Sequence, residues 1–291
     1  MPLELVEAAM PDGLRLHGAL HTPGQSAPTA PSTAVLLLHG TGSNFYSSSL
    51  WAGLIPRMLE WGLAALAVNT RGHDGVSSCR GLPSQRFIGS AYEQVDQCRL
   101  DVAGWLDWLL GRGFERVVLV GHSLGAVKAL FSLAEASHPA VASTVALSPP
   151  RLSHEQFTAG PRGPGFLEEY ARMAAIVNSG AGDTLVEVRF PLPYLVTAAG
   201  YVDKYGPAAR YDLTKLIEHI ACPLLITYGT VEVQQGMAFR GVPEALAQLP
   251  GYGQRFAVQL VAGADHIYSG CHGELAARLE KWLTAVLGQA R

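Results

Sequence analysis

Charged residues are scarce in this chain, at 15% of its 291 residues, whereas typical globular proteins carry about 25%. Only four of the 21 basic residues are lysine, a bias that, beside abundant alanine and glycine, is typical of GC-rich bacterial genomes. The net charge is −3, so the chain lacks the basic surface that attracts a phosphate backbone. We therefore expect no nucleic-acid partner.

Cysteine is also rare, and the four cysteines form neither a Cys-x-x-Cys pair nor a zinc-like spacing with histidine. They are Cys79, Cys98, Cys222 and Cys271. We expect free thiols in a reducing compartment, with no metal and no cofactor. His17 and His21 lie four residues apart, but no carboxylate pattern accompanies them, so a metal-dependent hydrolase is not indicated.

Long apolar runs are absent, since no segment approaches the roughly 20 apolar residues that a membrane helix needs. The first ten residues contain Glu4 and Glu7 and lack the basic start and apolar centre of a secretory signal. We therefore expect a cytoplasmic protein without a membrane span, and the composition leaves a homodimer open.

Short continuous apolar runs are present, and such runs are typical of strands covered on both faces. They are Ala34–Leu38, Ala64–Val68, Val117–Val120, Thr144–Leu147, Leu224–Thr227 and Phe256–Val261. Two alternating segments, Leu3–Ala9 and Leu14–His21, precede them and predict a hairpin. Helical patterns lie between several runs, at Leu50–Trp61, Tyr92–Leu110, Leu124–Ala136 and Glu274–Leu287. This alternation predicts an α/β fold, with a mostly parallel central sheet flanked by helices.

One connection is much longer than the others, because about 70 residues separate the sixth strand from the seventh. It includes a helical pattern at Phe166–Val177 and the apolar segment Phe190–Val196, and it is too apolar for a disordered linker. We expect residues 149–216 to form a lid inserted after the sixth strand, between core segments 1–148 and 217–291.

The segment Gly121-His122-Ser123-Leu124-Gly125 follows a predicted strand and precedes a predicted helix. A serine on such a tight turn is held in a strained backbone conformation with its hydroxyl exposed above the sheet. The helix N-terminus favours an anion developing there. The context therefore predicts that Ser123 is a nucleophile, the alternative being a plain helix cap.

A serine hydroxyl needs a base to take its proton, and in this arrangement an acid and then a histidine follow it along the chain. Only His266 and His272 follow the last predicted strand, and His266 comes directly at its end. Glu232 is the only carboxylate on the loop after Leu224–Thr227. The pattern predicts His266 as the base and Glu232 as its acid, with Asp203 and Asp212 of the insertion as rivals for the acid.

Acyl transfer also needs donors for an oxyanion. The N–H of Leu124, which follows the nucleophile, is one candidate. The glycine-rich loop after Ala34–Leu38 supplies the other, and we expect the N–H of Thr41, with Gly42 as the second choice. His39 in the same loop is interpreted as structural.

These motifs resemble the α/β-hydrolase superfamily, in its serine esterase and lipase-like form, in order along nearly the whole chain. They are His39-Gly40, Arg71-Gly72-His73, the Gly121–Gly125 elbow, Gly229 to Glu232, and Asp265-His266. The resemblance implies an α/β-hydrolase fold and agrees with Thr41 and Leu124 as oxyanion donors. Glu232 departs from the family, where aspartate is commoner. Ser123 argues against epoxide hydrolases and haloalkane dehalogenases, which use aspartate, and against cysteine-dependent dienelactone hydrolases.

The function predicted is hydrolysis of a carboxylic ester, a small to medium and partly hydrophobic molecule, through an acyl-serine intermediate. The alternatives are amidase, thioesterase, acyltransferase and a ligand-binding receptor with poor turnover. Six residues are candidates for lining the substrate pocket, with core packing as their alternative role: Asn44, Phe45, Tyr46, Phe190, Leu192 and Tyr194.

Overall fold

The computed structural model describes residues 2–24, 32–83 and 85–288. Its strands, numbered in chain order, are β1 Leu3–Ala9, β2 Arg15–His21, β3 Thr33–Leu38, β4 Ala64–Val68, β5 Ser77–Ser78, β6 Phe87–Ile88, β7 Arg116–His122, β8 Val141–Leu147, β9 Leu185–Val188, β10 Tyr194–Thr197, β11 Leu224–Gly229 and β12 Phe256–Val261. Its helices are α1 Ser49–Glu60, α2 Cys98–Gly111, α3 Leu124–Glu135, α4 His154–Ala159, α5 Gly163–Asn178, α6 Ala198–Tyr205, α7 Leu213–Leu216, α8 Thr230–Gln235, α9 Val242–Ala247 and α10 His272–Gly288. In these described stretches, no helix has the length and apolarity to cross a bilayer.

Eight strands form one sheet in the order β1-β2-β4-β3-β7-β8-β11-β12. The first two pairs along this order are antiparallel, and every later pair is parallel. The parallel strands are the continuous apolar runs of the sequence, and β3 and β4 are buried almost throughout because helices cover both faces. The predicted α/β fold with a mostly parallel central sheet is confirmed.

Alternate residues of the central strands enter two hydrophobic cores. Leu36 and Leu119 point to the face covered by α2 and α3, where Trp105 is fully buried. Leu37 and Val118 point to the face covered by α1 and α10. Each fully buried large side chain stabilises the fold by roughly 1.5–3 kcal/mol. These two cores fix the carboxyl ends of the parallel strands, which carry the site.

The helix predicted at Tyr92–Leu110 is wrong at its start. A 3₁₀ turn occupies Val95–Gln97, and α2 begins only at Cys98. The N–H of Val95 donates to the carboxylate of Asp203, which comes from the insertion. Tertiary contacts therefore replace the first helical turns that the local pattern favours.

The long connection between β8 and β11 is folded. It contains α4, α5, the antiparallel pair β9–β10, α6 and α7. Its side chains Phe157, Phe166 and Tyr201 are fully buried and belong to the same core as the α2 and α3 face of the sheet. Backbone hydrogen bonds also join it to Ala91 and Ala238.

Candidate active site

Ser123 occupies the sharp turn between β7 and α3, with φ 55° and ψ −125°. This left-handed conformation is strained for a residue with a side chain. Glycines make the turn sterically feasible: a Cβ on Gly121 would lie 2.2 Å from the carbonyl oxygen of Gly125, and a Cβ on Gly125 would lie 2.3 Å from that of Leu38. The turn leaves the Ser123 side chain partly exposed.

Three side chains, each at the end of a different strand, are in contact one after another: Ser123, His266 and Glu232. The Nε2 atom of His266 lies 2.9 Å from Ser123 Oγ, and its Nδ1 atom lies 2.7 Å from Glu232 Oε2. An ionised carboxylate accepts only, so Nδ1–H donates to Glu232 and Nε2 is left to accept the Ser123 proton. The geometry is that of a nucleophile, a base and an orienting acid.

The Glu232 carboxylate is nearly enclosed, with its side chain 3% exposed. Glu232 lies in the first turn of α8, directly after β11, and its Oε1 accepts the N–H of Gly229 at 2.7 Å and the hydroxyl of Ser148. The rival acids are occupied elsewhere: Asp203 accepts from Tyr211, and Asp212 caps α7.

The loop after β12 presents His266 and is braced from several sides. Asp265 Oδ1 accepts two backbone N–H groups of the following turn. The ring of His122 donates from Nε2 to the carbonyl oxygen of His266 at 2.7 Å. Burial, and then the proximity of His266, lower the pKa of His122 to about 3, so His122 stays neutral. The ring centroids of His122 and Phe239 lie 4.9 and 5.0 Å from that of His266.

The glycine-rich loop after β3 lies against the nucleophile. A Cβ on Gly40 would lie 2.9 Å from Ser123 Cβ, so only glycine permits this approach. Thr41 follows immediately, and within the described residues its N–H donates to no acceptor. Leu124 opens α3, and an N–H in that position has no partner inside its helix. Gly42 takes a left-handed φ of 63° in the same loop.

His39 holds the glycine-rich loop in place through hydrogen bonds of its ring. Its Nδ1–H donates to Gly40 O at 2.8 Å, and its Nε2 accepts the N–H of Thr70 at 3.0 Å. Burial, followed by the Lys128 charge, lowers the pKa of His39 to about 3. Lys128 Nζ donates to the Thr70 hydroxyl and pairs with Glu93 in the interior. His39 is therefore a neutral, fully bonded brace, consistent with the structural role that the sequence suggested.

The first three candidate substrate residues, Asn44, Phe45 and Tyr46, follow one another in the segment between β3 and α1. Asn44 is buried, and its side chain bonds Asp74 and Ser47. Phe45 packs against the α1 face of the core, and Tyr46 is exposed with its hydroxyl donating to Asp74.

The other three lie in the insertion. Phe190 is buried against Phe157, and Leu192 is exposed. The hydroxyl oxygens of Tyr194 and Tyr205 lie 3.5 Å apart. Across the described part of the chain, none of the six has a hydrogen bond or ring contact with Ser123, His266 or Glu232.

Sequence reasoning missed three residues that contact His266 or Glu232, namely His122, Ser148 and Phe239, and also Tyr268, which contacts Ser148. Two of them had a signal, since His122 is the variable position of the elbow and Ser148 directly follows β8 at the level of the other strand ends. Phe239 comes after α8, and nothing in its local pattern distinguishes it. Within residues 2–24, 32–83 and 85–288, no group of three or more potential ligands is arranged to hold a metal ion.

The sequence model of the α/β-hydrolase family matches residues 35–287, so the chain belongs to that family. A search of curated protein sequences gives no significant match.

Among solved structures, the chain is similar to esterases over almost all of its length. Est1E from Butyrivibrio proteoclasticus, bound to ferulic acid, is 14% identical with a TM-score of 0.68, covering 97% of this chain and 100% of that one. The hydrolase GrgF from Penicillium sp. sh18 is 15% identical with a TM-score of 0.71, covering 99% and 100%. The esterase Pf2001 from Pyrococcus furiosus is 18% identical with a TM-score of 0.57, covering 98% and 93%. At these identities the likeness shows the fold alone.

Proposed function

We propose that this protein hydrolyses carboxylic esters through an acyl intermediate on Ser123. One observation carries the proposal, namely the continuous contact from Ser123 Oγ through the His266 ring to the Glu232 carboxylate. That contact combines a nucleophile held exposed by a strained turn with a base whose tautomer is set by a buried acid.

In the first half of the reaction, His266 Nε2 takes the Ser123 proton while Oγ bonds to the ester carbonyl carbon. The carbonyl electrons move to the oxygen, which accepts the N–H groups of Thr41 and Leu124. The tetrahedral intermediate then collapses and the C–O bond to the alcohol breaks. The imidazolium gives its proton to the leaving oxygen, and an acyl-serine remains.

In the second half, water replaces the alcohol. His266 takes a proton from water as its oxygen attacks the acyl carbon, and the same N–H groups stabilise the second oxyanion. Collapse breaks the acyl–Oγ bond, and the proton returns to Ser123. Glu232 remains a carboxylate and stabilises the imidazolium in both halves.

The surroundings favour a small to medium ester with apolar groups. Phe239 lies beside the ring that must protonate the leaving oxygen, and Ile267, the next residue after His266, is 44% exposed. A structural neighbour, Est1E, holds ferulic acid, and another is described as an esterase. The two side chains support a leaving alcohol that packs against apolar groups, and the acid bound to Est1E supports an apolar acyl group.

The insertion at 149–216 is proposed to act as a lid that shapes the acyl pocket. Two contacts support this role: Gln156 Nε2 in α4 donates to Met237 O at 2.8 Å, and the Met237 side chain packs against the core that contains Phe157. Met237 lies near Phe239 in the same short segment. Met237→Ala should then alter acyl-chain preference without changing the phosphonylation rate of Ser123. An unchanged chain-length profile would argue against the lid role at this contact.

The test of function is a turnover screen with nitrophenyl esters of graded chain length, together with matched amides and thioesters. Esters of intermediate length should turn over fastest, and Ser123→Ala should remove the activity with the fold intact. Faster turnover of amides or thioesters would reassign the reaction. A burst of product followed by near-zero turnover would instead favour a ligand-binding receptor.

A further inference from the structure

Three hydroxyl groups form a buried chain that ends on the acid of the site. Ser148 Oγ contacts Glu232 Oε1, Tyr268 Oη lies 2.9 Å from Ser148 Oγ, and Thr227 Oγ1 lies 2.7 Å from Tyr268 Oη. The residues Thr227, Tyr268 and Ser148 are each fully buried, so water does not compete for these groups.

Counting protons fixes the direction of the contact between Ser148 and Glu232. The Glu232 carboxylate only accepts, so the single Ser148 proton goes to Glu232. Tyr268 Oη is the other hydroxyl within hydrogen-bond distance of Ser148 Oγ, and Thr227 Oγ1 contacts Tyr268 in turn. Burial raises the pKa of the Tyr268 hydroxyl, which keeps that proton in place. In this dry interior the linked hydroxyl groups hold Ser148 Oγ beside the carboxylate.

The backbone of Ser148 is held in an unfavourable conformation that aims its hydroxyl at Glu232. Its φ is 49°, a left-handed value that is uncommon for a residue other than glycine. Its N–H donates to Thr227 O at 2.8 Å, which ties the end of β8 to β11. Such strain persists where the surroundings over-determine it, and functional sites are where it concentrates.

We propose that Ser148 and Tyr268 are positioning residues that hold Glu232 so that Oε2 faces His266 Nδ1. The inference rests on the proposed serine-hydrolase function and extends it beyond the three reacting side chains. Glutamate has one more rotatable bond than aspartate, so its carboxylate needs more than the Gly229 N–H to fix its orientation. Ser148 supplies this second donor, and Tyr268 couples it to the loop that carries His266.

The test compares Ser148→Ala, Ser148→Gly and Tyr268→Phe with a matched control, Tyr228→Phe. Tyr228 is also buried on β11, but its hydroxyl donates to Pro149 O. The two Ser148 variants should each lose about tenfold in kcat with little change in KM, Tyr268→Phe somewhat less, and Tyr228→Phe should keep the wild-type kcat.

Two readouts separate positioning from a merely structural role. Glycine relieves the strained φ and alanine does not, so Ser148→Gly should melt at a higher temperature than Ser148→Ala while losing the same kcat. If kcat follows melting temperature across these variants, the positioning role is overturned. Ser148→Ala combined with Glu232→Gln should be no slower than Glu232→Gln alone, because Ser148 acts through Glu232.

The pH profile provides a further check. Removing a donor from the carboxylate makes it more basic, so the acid limb of kcat/KM should move to higher pH in Ser148→Ala. The titratable groups that face Glu232 are His266, Tyr268 and Tyr228, and the two tyrosines do not ionise in this range. An unshifted acid limb together with wild-type kcat would overturn the proposal.

A spectroscopic readout keeps the two proposals separable. The proton shared by His266 Nδ1 and Glu232 should give a low-field NMR resonance that moves in Ser148→Ala and Tyr268→Phe but not in Tyr228→Phe. If the wild type neither turns over esters nor reacts with a phosphonate, the proposed function fails and this resonance alone decides the positioning role. If the wild type is active and the variants match it in rate and resonance, only the positioning role fails.

Discussion

Glu232 and His266 are joined by a 2.7 Å contact between Oε2 and Nδ1, although they come from the ends of two different strands. Parallel pairing of β11 with β12 places both strand ends at one edge of the sheet. The family more often has aspartate as the acid. Here Glu232 lies in the first turn of α8. Its carboxylate reaches the His266 ring because Gly229 lets the end of β11 approach the loop before His266 closely.

The first prediction concerns the charge of this acid. Glu232→Gln should lower turnover by about 10⁴, the cost of the equivalent change in a serine protease triad, because an amide neither fixes the tautomer nor stabilises the imidazolium. Glu232→Asp should retain more activity than Glu232→Gln, since the charge remains although the reach is shorter. Steady-state kinetics on one nitrophenyl ester decide the order. A nearly active Glu232→Gln beside an inactive Asp203→Asn or Asp212→Asn would move the acid into the insertion.

The second prediction concerns Ser123 and His266, which act together when the proton moves. His266→Ala should be nearly as damaging as Ser123→Ala, and the double variant should be no worse than either, because the two side chains act in one step. Single-turnover rates on an activated ester measure this. Additive losses would mean that the two residues work independently.

The third prediction concerns the close approach of the glycine-rich loop after β3 to Ser123. Gly40→Ala places a methyl group 2.9 Å from Ser123 Cβ, so the loop must move and should lose one oxyanion donor. The expected loss is about 10²–10³ in kcat, with little change in KM.

Gly111→Ala is the matched control for this change. A Cβ there meets nothing within 4 Å and lies at the end of α2, so activity should be unchanged and stability slightly higher. Equal activity of the two variants would remove the glycine-rich loop from the mechanism.

The fourth prediction concerns pH and stability. His39 and His122 have pKa values lowered by burial from 6.5 to about 3, so below pH 6.5 the unfolded chain takes up protons that the folded chain does not. Their stabilising contribution is complete above pH 6.5 and is lost as the pH falls towards 3. The free energy of unfolding should fall by about 1.4 kcal/mol per pH unit for each histidine.

Urea denaturation between pH 6.5 and 5 measures this slope before most carboxylates titrate. His122→Gln replaces the ring with a side chain that cannot ionise, so its slope should be less steep over that window. His39 and His21, whose pKa values burial also lowers, keep the remaining slope. An identical slope in the variant would show that His122 is not kept neutral by the fold.

Much of the architecture follows from local pattern. The continuous apolar runs predicted the parallel strands, and β1, β4 and β12 have the predicted bounds. Periodicity failed where tertiary contacts decide, as at Val95, whose N–H is taken by Asp203. The sequence also predicted a folded insertion but not its hairpin β9–β10 or α6, whose short elements depend on packing against the core.

The site divides in a similar way. Ser123, His266 and Glu232 could be proposed because each follows a recognisable strand in a fixed chain order. The groups that orient them could not, because their roles arise from distant pairings such as Ser148 with Glu232, 84 residues apart. The candidate pocket residues came from the glycine-rich loop and from the apolar segment of the insertion, and whether they line a substrate pocket stays a prediction. Phe190 packs within the aromatic interior of the insertion.

Ser123 as the nucleophile is tested most directly by peptide-level mass spectrometry after reaction with an ester-mimicking phosphonate. One phosphonyl adduct is expected, on Ser123, formed at a rate that falls sharply in His266→Ala, and no adduct is expected in Ser123→Ala. A phosphonyl group on any other residue, or an unreactive Ser123 in an enzyme that still cleaves esters, would contradict the account.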